Sequence, residues 1–173
     1  YVNVKKVSVK NTDFFVFSPR QKVLKTGLIF YPGARVPARA YSPNMLEIAE
    51  EGYKSFLIGM PFNLAILGWK KADKIISNYK NIDCWVIAGH SMGGAMAAKY
   101  AEQNEKLVNG LVLWASYPPK NSNYREGNIK ALSITGSRDK IIDKKNIDRS
   151  RKQLPRDAEF FVLKGGNHSQ FGW

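Results

Sequence analysis

The sequence predicts an α/β chain built on a mainly parallel sheet, and three observations carry that prediction. Short continuous apolar runs alternate with helix-forming stretches through most of the 173 residues, as expected when parallel strands are joined by crossover helices. Pro and Gly close those runs at regular intervals. No repeat, low-complexity tract or linker rich in Gly, Pro or Ser breaks the pattern. The chain therefore reads as one domain over residues 1–173, a size at which one sheet layered with helices buries an adequate core.

The elements follow in order. Val7 to Phe17 alternates in places and reads as one or two opening strands. Gly27 to Tyr31, closed by Pro32-Gly33, suits a strand buried on both faces. Ser42 to Glu51 predicts a helix, with Ser42 as N-cap, Pro43 at the first helical position and Gly52 just past the end. Ser55 to Met60 is a second buried strand, stopped at Pro61. Ala72 to Tyr79 is helical and Cys84 to Ala88 strand-like, while Ala95 to Gln103 follows a glycine pair and is rich in strong helix formers. Gly110 to Ser116 and Ile129 to Thr135 are further apolar strands, the first ended by Tyr117-Pro118-Pro119. Asp143 or Lys144 to Leu154 is an amphipathic helical stretch, and Ala158 to Lys164 is the last strand. In sheets of this kind, ligand chemistry sits at the carboxyl ends of the strands.

Composition narrows the function classes. Hydrophobic residues at 44% and charged residues at 24% argue against disorder. The formal net charge is +13, and residues 120–156 alone hold eleven Lys or Arg against four Asp or Glu. Such an excess keeps a surface soluble. The competing reading is weak association with an anionic membrane surface, an acidic polymer or an acidic substrate. Duplex nucleic acid is not expected, because the chain has no zinc-finger spacing, RNP-like strand or basic helix with periodic base-reaching side chains. Cys84 is the only cysteine, so an intrachain disulfide and a CxxC site are excluded. Its apolar surroundings predict a buried small hydrophobe. Two histidines, His90 and His168, are too few for a His-rich metal site, and no metal is expected. No apolar run approaches the roughly 18–20 residues that span a bilayer. Because the first residue is Tyr1 rather than Met, a removed upstream signal or anchor stays open, and so does the compartment.

Gly89-His90-Ser91-Met92-Gly93, followed by Gly94, is a G-x-S-x-G pentapeptide set between an apolar strand and a helical segment. A nucleophilic serine needs a sharp strained turn that lifts its oxygen clear of the backbone, with small residues two before and two after. The helix start behind it also brings free N–H groups towards a developing oxyanion. The competing reading is a plain glycine-rich turn with a surface serine. A serine hydroxyl requires a base within hydrogen-bond reach, and only two imidazoles exist. His90 adjoins Ser91 and points elsewhere, so His168, in the loop after the final strand, is the candidate base. The imidazole needs a carboxylate to set its tautomer. Asp139, directly after the strand ending near Thr135, is the candidate; its nearest rival, Asp143, suits a structural N-cap.

Ser, then Asp, then His, each after a successive strand, is the chain order of one large hydrolase superfamily. The oxyanion hole requires a second donor from the loop Tyr31 to Arg35, and the N–H groups of Met92 and Ala34 are the candidates. Arg35 is either a ligand for a substrate carboxylate or phosphate, or a solvated loop residue. Met60 to Trp69 is unusually apolar for a connection leaving a strand. It is expected either to line a substrate pocket through Phe62 and Leu67, with Trp114 and Tyr117 nearby, or to pack into the core.

These segments, together with Phe30-Tyr31-Pro32-Gly33, Gly110 to Pro118 and Gly165 to Gly172, resemble the α/β-hydrolase superfamily, and within it the compact branch related to dienelactone hydrolases. The resemblance covers nearly all of the chain from about Phe14. It implies a three-layer α/β-hydrolase fold with helices on both sheet faces, and a serine esterase-like hydrolase that needs no metal or organic cofactor. Its partner would be a small-molecule ester, with Ser91, Asp139 and His168 catalytic. The resemblance also implies a final helix after the histidine loop, yet the sequence stops at Trp173. The expectation is therefore that this helix is missing, through trimming or replacement by a partner. Relatives carried behind an N-terminal anchor suggest a place outside the cytoplasm; the cytoplasm is the other option. The connection from Pro118 to Asn128 is too short for a lid domain, so an open cleft is expected. From a different class, the alternative is a non-catalytic α/β-hydrolase-fold protein that binds an anionic partner or surface.

Overall fold

The computed structural model describes residues 2–173 and contains one eight-stranded sheet. Strands β1 (Val2–Val9) and β2 (Thr12–Pro19) form a hairpin whose turn residues, Lys10 and Asn11, have φ of 46° and 62°, the paired positive angles of a tight hairpin turn. The strands β3 (Thr26–Tyr31), β4 (Lys54–Ile58), β5 (Cys84–His90), β6 (Gly110–Trp114), β7 (Lys130–Gly136) and β8 (Glu159–Leu163) follow. Their spatial order is β1-β2-β4-β3-β5-β6-β7-β8, antiparallel between β1, β2 and β4 and parallel from there on. The helices are α1 (Ser42–Glu50), α2 (Ala72–Asn78), α3 (Met92–Gln103) and α4 (Lys144–Gln153).

Side chains on successive strand residues point to opposite faces, and the central strands are apolar on both. Ile29, Tyr31, Phe56, Ile58, Trp85, Ile87, Leu111 and Leu113 enter one core. Ala72 and Ile75 of α2, and Ala97, Ala98, Tyr100 and Ala101 of α3, cover them. Phe30, Leu57 and Ala88 enter the other core beneath Met45 and Ala49 of α1, with Val112 and Trp114 at its margin. Helices thus lie on both faces, as the alternation predicts. The second face thins out towards β7 and β8. By register Ile134 pairs with Phe161, and Phe161 and Leu163 remain half exposed. Among the described residues no α-helix follows β8, and no helix is long and apolar enough to cross a membrane.

Several boundaries differ from expectation for physical reasons. β1 starts at Val2 rather than near Val7; Lys5-Lys6 breaks the alternation of its valines, most of the strand is exposed, and pairing with β2 defines it. Ser42 is not the N-cap of α1. A 3₁₀ turn over Ala38–Tyr41 runs straight into the helix, Tyr41 holds the cap position, and no side chain caps it. Gly52 does sit past the end with φ of 101°, where an added Cβ would strike the Lys22 carbonyl oxygen. Helix α3 begins at Met92, three residues before the strong helix formers, because it grows directly out of the serine turn. Cys84 is half buried, not buried, because it opens β5 at the sheet margin.

Candidate active site

At the carboxyl end of β5, Ser91 adopts φ 53° and ψ −122°, and α3 begins one residue later. A non-glycine residue in this region carries strain of roughly 1–3 kcal/mol and persists only when its surroundings enforce it. They do so here. The Ser91 N–H donates to the Trp114 carbonyl at 3.0 Å, and the Ser91 carbonyl accepts from Ser116 Oγ at 2.6 Å and from the Ala95 N–H at 3.2 Å. The flanking glycines make the turn possible. A Cβ on Gly89 would stand 2.5 Å from the Gly93 backbone, and one on Gly93 would collide with the carbonyl oxygens of Tyr31 and Pro32.

Asp139 lies three residues beyond β7. Its Oδ1 accepts the N–H groups of Ile141 and Ile142 at 2.8 and 3.1 Å, which leaves Oδ2 for His168 Nδ1 at 2.8 Å. His168 opens a 3₁₀ turn capped by Asn167, whose side chain accepts from the N–H groups of Ser169 and Gln170. Its Nε2 is 3.0 Å from Ser91 Oγ. A carboxylate only accepts, so the proton resides on Nδ1, and Nε2 is free to accept from the serine hydroxyl. The side chains of His168 and Asp139 are only 14% and 4% exposed. Burial acts to raise the Asp139 pKa, but the hydrogen bonds from His168, Ile142 and Ile141 outweigh it and hold the carboxyl below its usual value. The two loops are also laced together, Arg138 N–H donating to the Gly166 carbonyl and Gly165 N–H to the Ser137 hydroxyl, both at 2.8 Å. The rival carboxylate, Asp143, caps α4 by accepting from the Lys145 N–H.

Two clefts meet at Ser91 and His168. The smaller, about 140 Å³, is walled by Met92, Ala95, Tyr117, Ile141 and Ile142. The larger, about 370 Å³, is walled by Gly33, Ala34, Val36, His90 and Trp173. The structure therefore puts Met92 on one side of the serine and Ala34 on the other. Neither N–H makes a backbone hydrogen bond outside its own element, so both are available to an oxyanion.

The four residues expected to bind substrate fall outside both clefts. Arg35 is an exposed loop residue whose backbone N–H is tied to the Asn63 carbonyl at 2.9 Å. Phe62 and Leu67 are 87% and 57% exposed. The segment carrying them winds through three 3₁₀ turns; Met60 and Ala65 of it enter the core and Trp69 packs against it. Trp114 points away from the clefts into the second core, against Phe30 and Phe171. Sequence reasoning missed Tyr41 and Ser116, which hold the site from behind. A tyrosine next to a helix start and a serine after an apolar strand carry no distinguishing signal.

With this order of strands and this turn, the chain belongs to the alpha/beta hydrolase family, whose model matches residues 27–173. No curated protein sequence matches it detectably. Among solved structures it is similar to TT1662 from Thermus thermophilus, with 14% identity over 98% of this chain and 91% of that one and a TM-score of 0.78. A dienelactone hydrolase candidate from Klebsiella pneumoniae shares 15% identity over 98% and 88% of the two chains, with a TM-score of 0.77. The thioesterase domain from the curacin biosynthetic pathway shares 11% over 99% and 95%, with a TM-score of 0.72. At these identities the likeness speaks for the fold.

Proposed function

We propose that this protein is a serine hydrolase that cleaves a carboxylic ester-type bond, with Ser91 as nucleophile, His168 as general base and acid, and Asp139 as the group that orients His168. The observation that carries the reading is one imidazole bonded at once to a buried carboxylate (2.8 Å) and to a hydroxyl held on a strained turn (3.0 Å). His168 takes the Ser91 proton as Oγ attacks the substrate carbonyl. The N–H groups of Met92 and Ala34 receive the oxyanion, and His168 returns the proton to the departing alcohol. Water then enters, gives its proton to His168 and attacks the acyl carbon; the acid leaves and Ser91 regains its proton. A thioester would pass through the same steps. Neither cleft is lined by a Lys, Arg, Asp or Glu side chain, which favours neutral substrates despite the basic surface.

A fluorophosphonate probe tests the reading directly. It is expected to label the wild-type protein and not Ser91→Ala, and equal labelling of both would remove Ser91 from the mechanism. A series of nitrophenyl esters of increasing chain length then ranks the acyl groups accepted.

A further inference from the structure

His90 is the second histidine, is almost fully buried, and takes no part in the steps above. Its ring faces the α1 side of the sheet, 4.8 Å from the His168 ring and stacked on Phe171 at 5.5 Å. Nε2 is 3.0 Å from the backbone carbonyl of His168. A carbonyl only accepts, so Nε2 carries the proton. Nδ1 of the neutral ring must then accept, and its partner is the Tyr41 hydroxyl at 2.8 Å. That hydroxyl in turn accepts the Gly33 N–H at 3.1 Å. Every bond in the chain has one allowed direction: Gly33 N–H to Tyr41, Tyr41 O–H to His90 Nδ1, His90 Nε2–H to the His168 carbonyl. Tyr41 is fully buried, and Gly33 has no room for a side chain, since a Cβ there would lie 2.7 Å from His90 Nδ1.

We infer that His90 is a positioning residue: as a neutral Nε2–H imidazole it ties the oxyanion loop to the backbone of the proposed base, so that both are set relative to Ser91, its own neighbour in the chain. The inference rests on the proposed roles of Ser91, His168 and Ala34. Gly33 immediately precedes Ala34; its N–H is held by Tyr41, and its carbonyl, which shares a peptide with the Ala34 N–H, accepts from the Val36 N–H at 3.2 Å, so the two bonds together orient that peptide. The His168 carbonyl belongs to the residue whose ring must stay within 3.0 Å of Ser91 Oγ. Misplacement of reacting groups by about 1 Å can cost on the order of 100-fold in rate.

The experiment has two arms. In the first, ¹⁵N–¹H correlation of the imidazole groups in the wild-type protein is expected to show His90 as a neutral Nε2–H tautomer that does not titrate between pH 5 and 8. An Nδ1–H tautomer or a titration in that range overturns the inference, whether or not the protein is active. The second arm measures Tyr41→Phe and His90→Gln on a nitrophenyl ester. Each is expected to lower kcat by roughly 10–100-fold with KM nearly unchanged, and the double variant to lose little more than either single one. Imidazole added to His90→Ala is expected to restore part of the lost kcat, which a merely structural role would not allow. If Ser91→Ala is inactive while both single variants keep kcat within about twofold of wild type, the positioning role fails and the hydrolase reading stands. If the wild-type protein is neither labelled nor active, the hydrolase reading fails, and the first arm still decides the tautomer.

Discussion

At the scale of single residues, the proposed mechanism separates groups that react from groups that hold them. In it Asp139 is a holder, because both of its oxygens are engaged before any substrate arrives. Asp139→Asn should fold normally, judged by an unchanged circular dichroism spectrum. It should lose about 10³–10⁴-fold in kcat, because an amide reverses the preferred imidazole tautomer. The carboxyl is held below its usual pKa, so its stabilising contribution is complete above the ordinary carboxylate range. That contribution is lost as pH falls through the lowered value. His90 acts over a different range. Burial first, and repulsion from His168 second, depress it from 6.5 to about 4. Between those two values the unfolded chain binds a proton that the native protein refuses. Stability should therefore be full above pH 6.5 and decline as pH drops towards 4, by up to about 3 kcal/mol from this residue. Urea midpoints of wild type and His90→Gln at pH 7 and pH 4.5 check this; the variant's decline should be the shallower.

At the scale of elements, the strand–turn–helix unit around Ser91 is the least tolerant part of the molecule. A methyl group on Gly93 would press against the carbonyl oxygens of Tyr31 and Pro32, which cannot yield without moving β3. Gly93→Ala should cost at least the 1–3 kcal/mol typical of overpacking, read from urea unfolding, and should reduce labelling of Ser91. Leu67→Asp should instead leave stability within about 0.5 kcal/mol and ester preference unchanged, because Leu67 is 57% exposed and lines neither cleft at Ser91. The contrast shows what was legible beforehand. Strands β3, β4, β5 and β6 announce themselves because they are largely buried on both faces and leave continuous apolar runs. The serine turn is legible because backbone crowding there demands glycine at fixed offsets. Phe62 and Leu67 mislead because an apolar side chain does not say whether it will be covered. Tyr41 stays invisible because its partnership with His90 spans 49 residues and exists only in the folded chain.

At the scale of the whole molecule, the sheet is unevenly protected. Helices cover its centre on both sides, but β8 is an edge strand with Phe161 and Leu163 half exposed. Edge strands with apolar side chains invite pairing with other chains unless charge intervenes. The net charge of +13 supplies repulsion, and that repulsion weakens as ions screen it over about 10 Å at 0.1 M salt. Light scattering should therefore show more self-association as salt rises, and Phe161→Lys should suppress it with little change in thermal midpoint. The lacing between the loops after β7 and β8 has a separate consequence. Gly166 accepts from Arg138, and Gly136 packs so closely on Gly166 that it has no space for a side chain. The spacing between acid and base is thus set by loop backbone and by glycines, not by the reacting side chains themselves. Chassis and reagents are separable, and a chemist could install a thiol at position 91 and expect the imidazole to be waiting where the alcohol left it.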